Sequence, residues 1–135
     1  MKYEILIVDD EKIIIKLVKH LVIKSELHQE PKGFLGGIEA LNYLSELEDT
    51  SITQIILLDI NMPDFDGWDF LDLLEKTHVK IPYHVVIITS SINKSDKQKA
   101  KQYKSVSGYI EKPVSMENME EIRNLSRLTN FFEAQ

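Results

Sequence analysis

Short apolar runs alternate along this chain with longer segments of helical period, and that alternation constrains the fold more than any other feature of the sequence. Five such pairs can be counted. The strand candidates are Tyr3–Val8, a weaker one at Glu30–Phe34, Ile55–Asp59 preceded by Gln54, His84–Thr89 and Ser107–Glu111. Three of them read as continuous Ile, Val and Leu, the mark of strands covered on both faces in a parallel sheet. Between them, Ile14, Leu17, Val18, Leu21 and Val22 share one helical face, and Ile38, Leu41, Leu44 and Leu47 share another. A third helix is expected from near Gly67 with Phe70, Leu71 and Leu74 inward. The fourth, Asn93 to about Lys104, has only Ala100 and Tyr103 as apolar anchors and is expected to be the most loosely held. The fifth starts after Ser115 as N-cap and offers Met119, Ile122, Leu125 and the terminal Phe131 and Phe132. Strand and helix in alternation with right-handed crossovers give an α/β fold, a doubly wound five-stranded parallel sheet.

Sheets of this kind carry their sites at the carboxyl ends of the strands. Here the first strand ends in Asp9-Asp10, the third in Asp59, the fourth in Thr89-Ser90, and the fifth runs into Lys112-Pro113. With the first and third strands as neighbours, three carboxylates converge and repel one another unless a cation joins them. Oxygen donors without His or Cys suit a hard divalent ion, and Mg²⁺ is the usual choice where phosphate oxygens complete the shell. A hydroxyl and a Lys ammonium facing the same place complement the oxygens of a phosphoryl group in transfer. The sequence holds no Gly-rich phosphate loop, so the acceptor is sought among the site's own groups, and the Asp59 carboxylate is the natural nucleophile. Taken alone, Asp10 reads as an N-cap sooner than as a metal ligand, Asn61-Met62-Pro63-Asp64 is good turn chemistry, and Thr89 and Tyr109 are ordinary sheet residues.

Composition narrows the choice of class. The 135 residues are 43% hydrophobic and 28% charged, with no Cys, which fits one globular domain without disulfides or thiolate metal sites. A net charge of −6 argues against unspecific nucleic-acid binding, although residues 92–112 carry six Lys against two acidic residues. The early apolar run Ile5–Val8 ends in Asp9, Asp10 and Glu11, too short and too acidic behind for a signal peptide or a membrane span, so a cytoplasmic protein is expected.

In this order the motifs resemble the receiver domain of bacterial two-component response regulators, of the stand-alone CheY-like kind. The resemblance runs from about Tyr3 to Leu128. It rests on Asp9-Asp10 as the acidic pair, on Leu57-Leu58-Asp59-Ile60-Asn61-Met62-Pro63 with Asp66-Gly67 as the phosphorylation strand and loop, on Thr89 as the switch hydroxyl, and on Lys112-Pro113. It implies a flavodoxin-like (βα)5 fold with strand order 2-1-3-4-5, a receiver domain over residues 1–128, and a tail at 129–135 with no output domain. By the same resemblance Asp59 is the phosphoacceptor, and Mg²⁺ is held by Asp10 directly, by Asp9 through water, by Asp59 and by the main-chain carbonyl of Asn61. Lys112 contacts the phosphoryl group, Thr89 moves to bond it, and Tyr109 turns inward as Thr89 moves. Asn61 and Ser91 stand where the family tunes dephosphorylation, and the Lys112-Pro113 bond is commonly cis. The implied donor is a histidine kinase or a histidine phosphotransfer protein. The implied output is a separate protein target bound through the fourth helix, fifth strand and fifth helix, with no nucleic acid and no membrane involved.

The chain departs from the family pattern at Ser105 and Val106, where Gly-Ala is usual, so the turn closing the fourth helix lacks its easy left-handed residue. The resemblance makes the chain a phosphoacceptor that assists its own phosphorylation and dephosphorylation, and not an enzyme. Two other readings stand beside it. One is a phosphate-independent receiver-like scaffold, which would not require the acidic cluster. The other is an Asp-nucleophile phosphohydrolase, which resembles a pattern with a second Asp two residues on, where this chain has Asn61, a side chain unable to shuttle protons.

Overall fold

The computed structural model describes residues 2–133. Five strands, β1 (Lys2–Val8), β2 (Lys32–Phe34), β3 (Ile52–Leu58), β4 (Tyr83–Thr89) and β5 (Val106–Glu111), form one parallel sheet in the order 2-1-3-4-5. The helices are α1 (Lys12–Lys24), α2 (Gly37–Glu46), α3 (Gly67–Thr77), α4 (Lys94–Ala100), α5 (Met116–Arg123) and α6 (Thr129–Glu133).

The apolar strands are buried on both faces, as their composition requires. Ile5, Ile7, Ile55, Leu57, Val86, Ile88 and Ile110 face one core, closed by α1, α5 and α6. Leu6, Val8, Ile56, Leu58, Val85 and Ile87 face the other, closed by α2, α3 and α4. Register then aligns the strand ends. Val8 lies opposite Leu58, Leu58 opposite Ile87, and Thr89 opposite Glu111. Asp9, Asp59 and Lys112, each one residue further on, therefore emerge side by side, and the backbone seals this edge with Asp59 N–H to Val8 O at 3.0 Å and Lys112 N–H to Thr89 O at 2.8 Å.

Several local expectations are corrected. On α1 the inward residues are Ile15, Val18, Leu21 and Val22, while Leu17 is 41% exposed and Ile14 only half-buried. The run Ile13-Ile14-Ile15 permits two phases of the helical period, and packing selects the one that puts Ile15 beside Gly33 of β2. On α2, Ala40 is buried and Ile38 is 50% exposed. The fourth helix stops at Ala100, four residues short of its expected end. Gln102 and Tyr103 bond back to the carbonyls of Lys99 and Ala100, three residues behind each, so the last turn tightens where no apolar face holds a longer helix.

The fifth helical segment is also interrupted. α5 ends at Arg123, and residues 129–133, expected as a tail, form the separate helix α6. Phe131 and Phe132 of α6 are buried edge-on against the Tyr3 ring, with centroids 6.1 and 5.3 Å away. Ala134 and Gln135 lie outside the described residues.

Candidate functional site

The β1 and β3 ends supply the acidic groups. Asp9 is 3% and Asp59 4% exposed, while Asp10 stands out in solvent. Glu11, not Asp10, is the N-cap residue of α1, so the capping role open to Asp10 in the sequence is not the one it takes. One carboxylate oxygen from each of Asp9, Asp10 and Asp59 lies within 4.8 Å of the others. Such a set of hard oxygens, two of them buried, fits a divalent cation such as Mg²⁺.

The β3–α3 loop holds its end of the site by local bonds. The Asn61 N–H donates to Asp59 Oδ1 at 3.0 Å. Asp66 and Asp69 form a reciprocal capping box, the side chain of each accepting the backbone N–H of the other at 2.9 and 3.0 Å. Gly67 permits the close approach of α3 to the site, because a Cβ there would meet Ile60 Cα at 2.6 Å and Asp59 O at 2.9 Å. Asp64 takes the left-handed turn position, with φ 65°.

Lys112 reaches in from the end of β5. Its Nζ lies 2.9 Å from Asp9 Oδ2 and 3.5 Å from Asp59 Oδ2, and the following Lys112-Pro113 bond is cis. Burial pushes the Asp59 carboxyl up to about 6; the Asn61 N–H and the Lys112 ammonium work against that shift, and the neighbouring Asp9 adds to it. For Lys112, burial disfavours the ammonium, but the hydrogen bond to Asp9 and the charges of Asp59 and Asp9 outweigh it and raise its pKa. The site thus contains a strained carboxylate beside a secure cation. That arrangement can receive an electrophile on Asp59 and neutralise the negative oxygens that arrive with it.

Thr89, at the end of β4, is fully buried. Its Oγ1 accepts from Asn61 Nδ2 at 2.8 Å and from the Ser91 N–H at 3.2 Å. Ser91 in turn donates through Oγ to Asp96 Oδ2 of α4 at 2.6 Å, and its carbonyl accepts from the Tyr109 hydroxyl at 3.5 Å. The structure therefore brings Asp9, Asp10, Asp59 and Lys112 together directly, and ties Thr89 and Tyr109 together through Ser91.

Two features escaped the sequence reading. One is the Asn61 carboxamide on Thr89, which spans 28 residues and has no local signature. The other is a clamp between α3 and α4: Tyr103 donates to Asp72 Oδ1 at 2.7 Å, its ring stacks on Trp68 with centroids 5.7 Å apart, and Lys99 Nζ stands 4.8 Å above Trp68. The turn at Ser105 and Val106 is made without a left-handed residue, since the positive φ values of the described non-Gly residues fall at Glu26, Asp64 and His78. Among the described residues no helix is long and apolar enough to cross a membrane.

Comparison with known proteins is consistent with this geometry. The family model described as response regulator receiver domain matches residues 5–124. The chemotaxis protein CheV2 of Helicobacter pylori is 28% identical over 108 residues, which cover 80% of this chain and 34% of that protein. The response regulator Rcp1 of Synechocystis is 30% identical over 95 residues, covering 68% of this chain and 65% of that one. The chain thus spans about a third to two thirds of the length of these relatives. A solved two-component response regulator from Cytophaga hutchinsonii is 25% identical and superposes with a TM-score of 0.78 over 100% of both chains.

Proposed function

The chain belongs to the response regulator receiver domain family, and from that premise we propose that it accepts a phosphoryl group on Asp59 and thereby changes its binding to a protein partner. The observation that carries this reading is the convergence of Asp9, Asp10 and Asp59 within 4.8 Å beside the Lys112 ammonium. In the transfer, an Asp59 oxygen forms a bond to phosphorus as the bond from phosphorus to a donor histidine nitrogen breaks, and the bonding pair leaves on the imidazole. The donor is a histidine kinase or a histidine phosphotransfer protein.

Asp59 is buried enough to be a poor home for bare charge, yet above about pH 6 it is ionised and able to attack. Lys112 stays cationic and already lies 3.5 Å from Asp59 Oδ2, placed to meet the incoming negative charge. Asp9, Asp10, Asp59 and the Asn61 carbonyl would hold Mg²⁺, which when bound relieves the carboxylate repulsion and screens the phosphoryl oxygens. Thr89 then moves to bond the phosphoryl group, and Tyr109 follows through Ser91. The output surface is α4, β5 and α5, where the Lys-rich α4 favours an acidic protein partner, and the work is done in the cytoplasm.

The test is incubation with Mg²⁺ and a small acyl phosphate, followed by intact mass and peptide mapping. One added phosphoryl group on Asp59, lost in Asp59→Asn, is expected. Label on Thr89 or a His, or label retained by Asp59→Asn, would overturn the assignment.

A further inference from the structure

Asn61 makes two bonds that do different things. Its backbone N–H supports Asp59 Oδ1 at 3.0 Å, and its side-chain Nδ2 donates to Thr89 Oγ1 at 2.8 Å. The Ser91 N–H donates to the same hydroxyl oxygen at 3.2 Å. A hydroxyl has two accepting positions, so these two donors take both. Thr89 is fully buried, and a polar contact given up there is not replaced by bulk water.

The place where Thr89 is held is also the place to which the moving parts are tied. Ser91 Oγ donates to Asp96 in the first turn of α4, and the Tyr109 hydroxyl donates to the Ser91 carbonyl. A displacement of Thr89 therefore disturbs both the α4 start and Tyr109. Asn61 stands at the other end of this chain of bonds, on the loop that carries the phosphoacceptor.

Resting on the reading of Thr89 as the hydroxyl that moves to a phosphoryl group, we propose that the Asn61 carboxamide is a latch on Thr89, a positioning residue that sets how much of the unphosphorylated chain already occupies the switched arrangement. Departure of Thr89 breaks the bond from Asn61, so removal of that donor lowers the cost of departure. One net hydrogen bond corresponds to about a fivefold change in such an equilibrium. The backbone N–H that supports Asp59 survives truncation of the side chain, which separates the latch from the support of the acceptor.

The experiment is amide relaxation dispersion over residues 89–96 of the unphosphorylated chain without Mg²⁺, comparing the parent with Asn61→Ala, Asn61→Gln and Thr89→Val. Asn61→Ala is expected to raise the population of the minor arrangement about fivefold, and Asn61→Gln, which keeps a donor on a longer side chain, to return part of that rise. In the Thr89→Val background the same Asn61→Ala change is expected to have no effect, because the hydroxyl it acts on is gone. Exchange in Asn61→Ala that is absent or no greater than in the parent overturns the latch, as does an equal rise with Thr89→Val present. Phosphate uptake by the unaltered chain is measured separately. Its failure would overturn the proposed function, while the exchange measurements still decide whether Asn61 restrains Thr89.

Discussion

Two consecutive strand-helix units of this molecule share a sheet face and differ in how their helices are held. In the β3–α3 unit, eleven helical residues start in a reciprocal capping box and bury Phe70, Leu71 and Leu74 completely. In the β4–α4 unit, seven helical residues bury Ala100 alone, and the helix is secured by polar and ring contacts: Ser91 to Asp96, Tyr103 to Asp72, and Lys99 over Trp68. The first unit delivers the Asp59 carboxylate and the second the Thr89 hydroxyl. A nucleophile needs a fixed position, whereas a responding group needs alternatives of nearly equal energy. Apolar burial provides the first condition, and a few hydrogen bonds of modest net strength provide the second.

The largest expected effect comes from breaking the rigid unit. Phe70→Ala removes a fully buried ring from the core between α2, α3 and the sheet and should cost about 4 kcal/mol in urea unfolding. No single change on α4 should approach this. A loss at Phe70 below about 1.5 kcal/mol, well under the usual range for such truncations, would remove the contrast between the two helices.

Next in size is the strain stored at the end of β3. The Asp59 carboxyl is raised from 3.8 to about 6 in the folded chain, burial being the main cause. Between those values the native state holds more protons than the unfolded state, so stability falls as pH rises from about 4 to about 6 and stays lower above. Asp59→Asn lacks that carboxyl. Without Mg²⁺ it should be more stable than the parent by about 1–3 kcal/mol near neutral pH, the attraction of Lys112 being already contained in the raised value, and it should show little gain near pH 4. Equal stability of the two chains across a pH series of denaturant curves would mean that the rigid unit carries no such strain.

A smaller change sharpens the other side of the comparison. Tyr103→Phe deletes the hydroxyl that donates to Asp72 at 2.7 Å while keeping the ring on Trp68. The global loss should be about 0.5–1 kcal/mol. Hydrogen exchange should be more telling, with faster exchange over residues 97–103 and unchanged protection over α3. Equal acceleration in both helices would show that α4 opens only when the whole face does.

The same contrast explains what could be read from the sequence. β1, β3 and β4 were legible because a strand buried on both faces leaves a continuous apolar run, and Phe70, Leu71 and Leu74 because one strong helical phase was available. The convergence of Asp9, Asp59 and Lys112 follows from strand register, so a site assembled from strand ends could be anticipated residue by residue. The α1 face was misphased because Ile13-Ile14-Ile15 supports more than one period, and only the approach of Ile15 to Gly33 decides between them. α6 was missed because the apolar spacing from Met119 to Phe132 can be followed through residues 124–128, where the chain turns. The contacts that hold α4 and Thr89 join residues up to 31 positions apart through single hydrogen bonds, and such pairs leave no periodic trace.

The smallest effect lies on the exposed side of the α3–α4 clamp. Lys99 Nζ stands 4.8 Å above the Trp68 ring, which is itself stacked on Tyr103 at an interplanar angle of 21°. An exposed cation over a half-buried aromatic ring contributes about 0.5 kcal/mol, so Lys99→Ala should barely move the denaturation midpoint. It should nevertheless alter Trp68, the single tryptophan of the chain, because the ring loses its nearby charge while its stacking partner remains. Trp68 fluorescence in Lys99→Ala should therefore differ from the parent at low salt and approach it as salt is added, since an exposed cation is progressively screened. In Tyr103→Phe the fluorescence difference from the parent should instead persist at high salt, since a lost hydrogen bond is not restored by screening. If the Tyr103→Phe difference also fades as salt is added, the clamp is a single electrostatic unit, and α4 is held to α3 by charge alone and not by the ring and the hydroxyl separately.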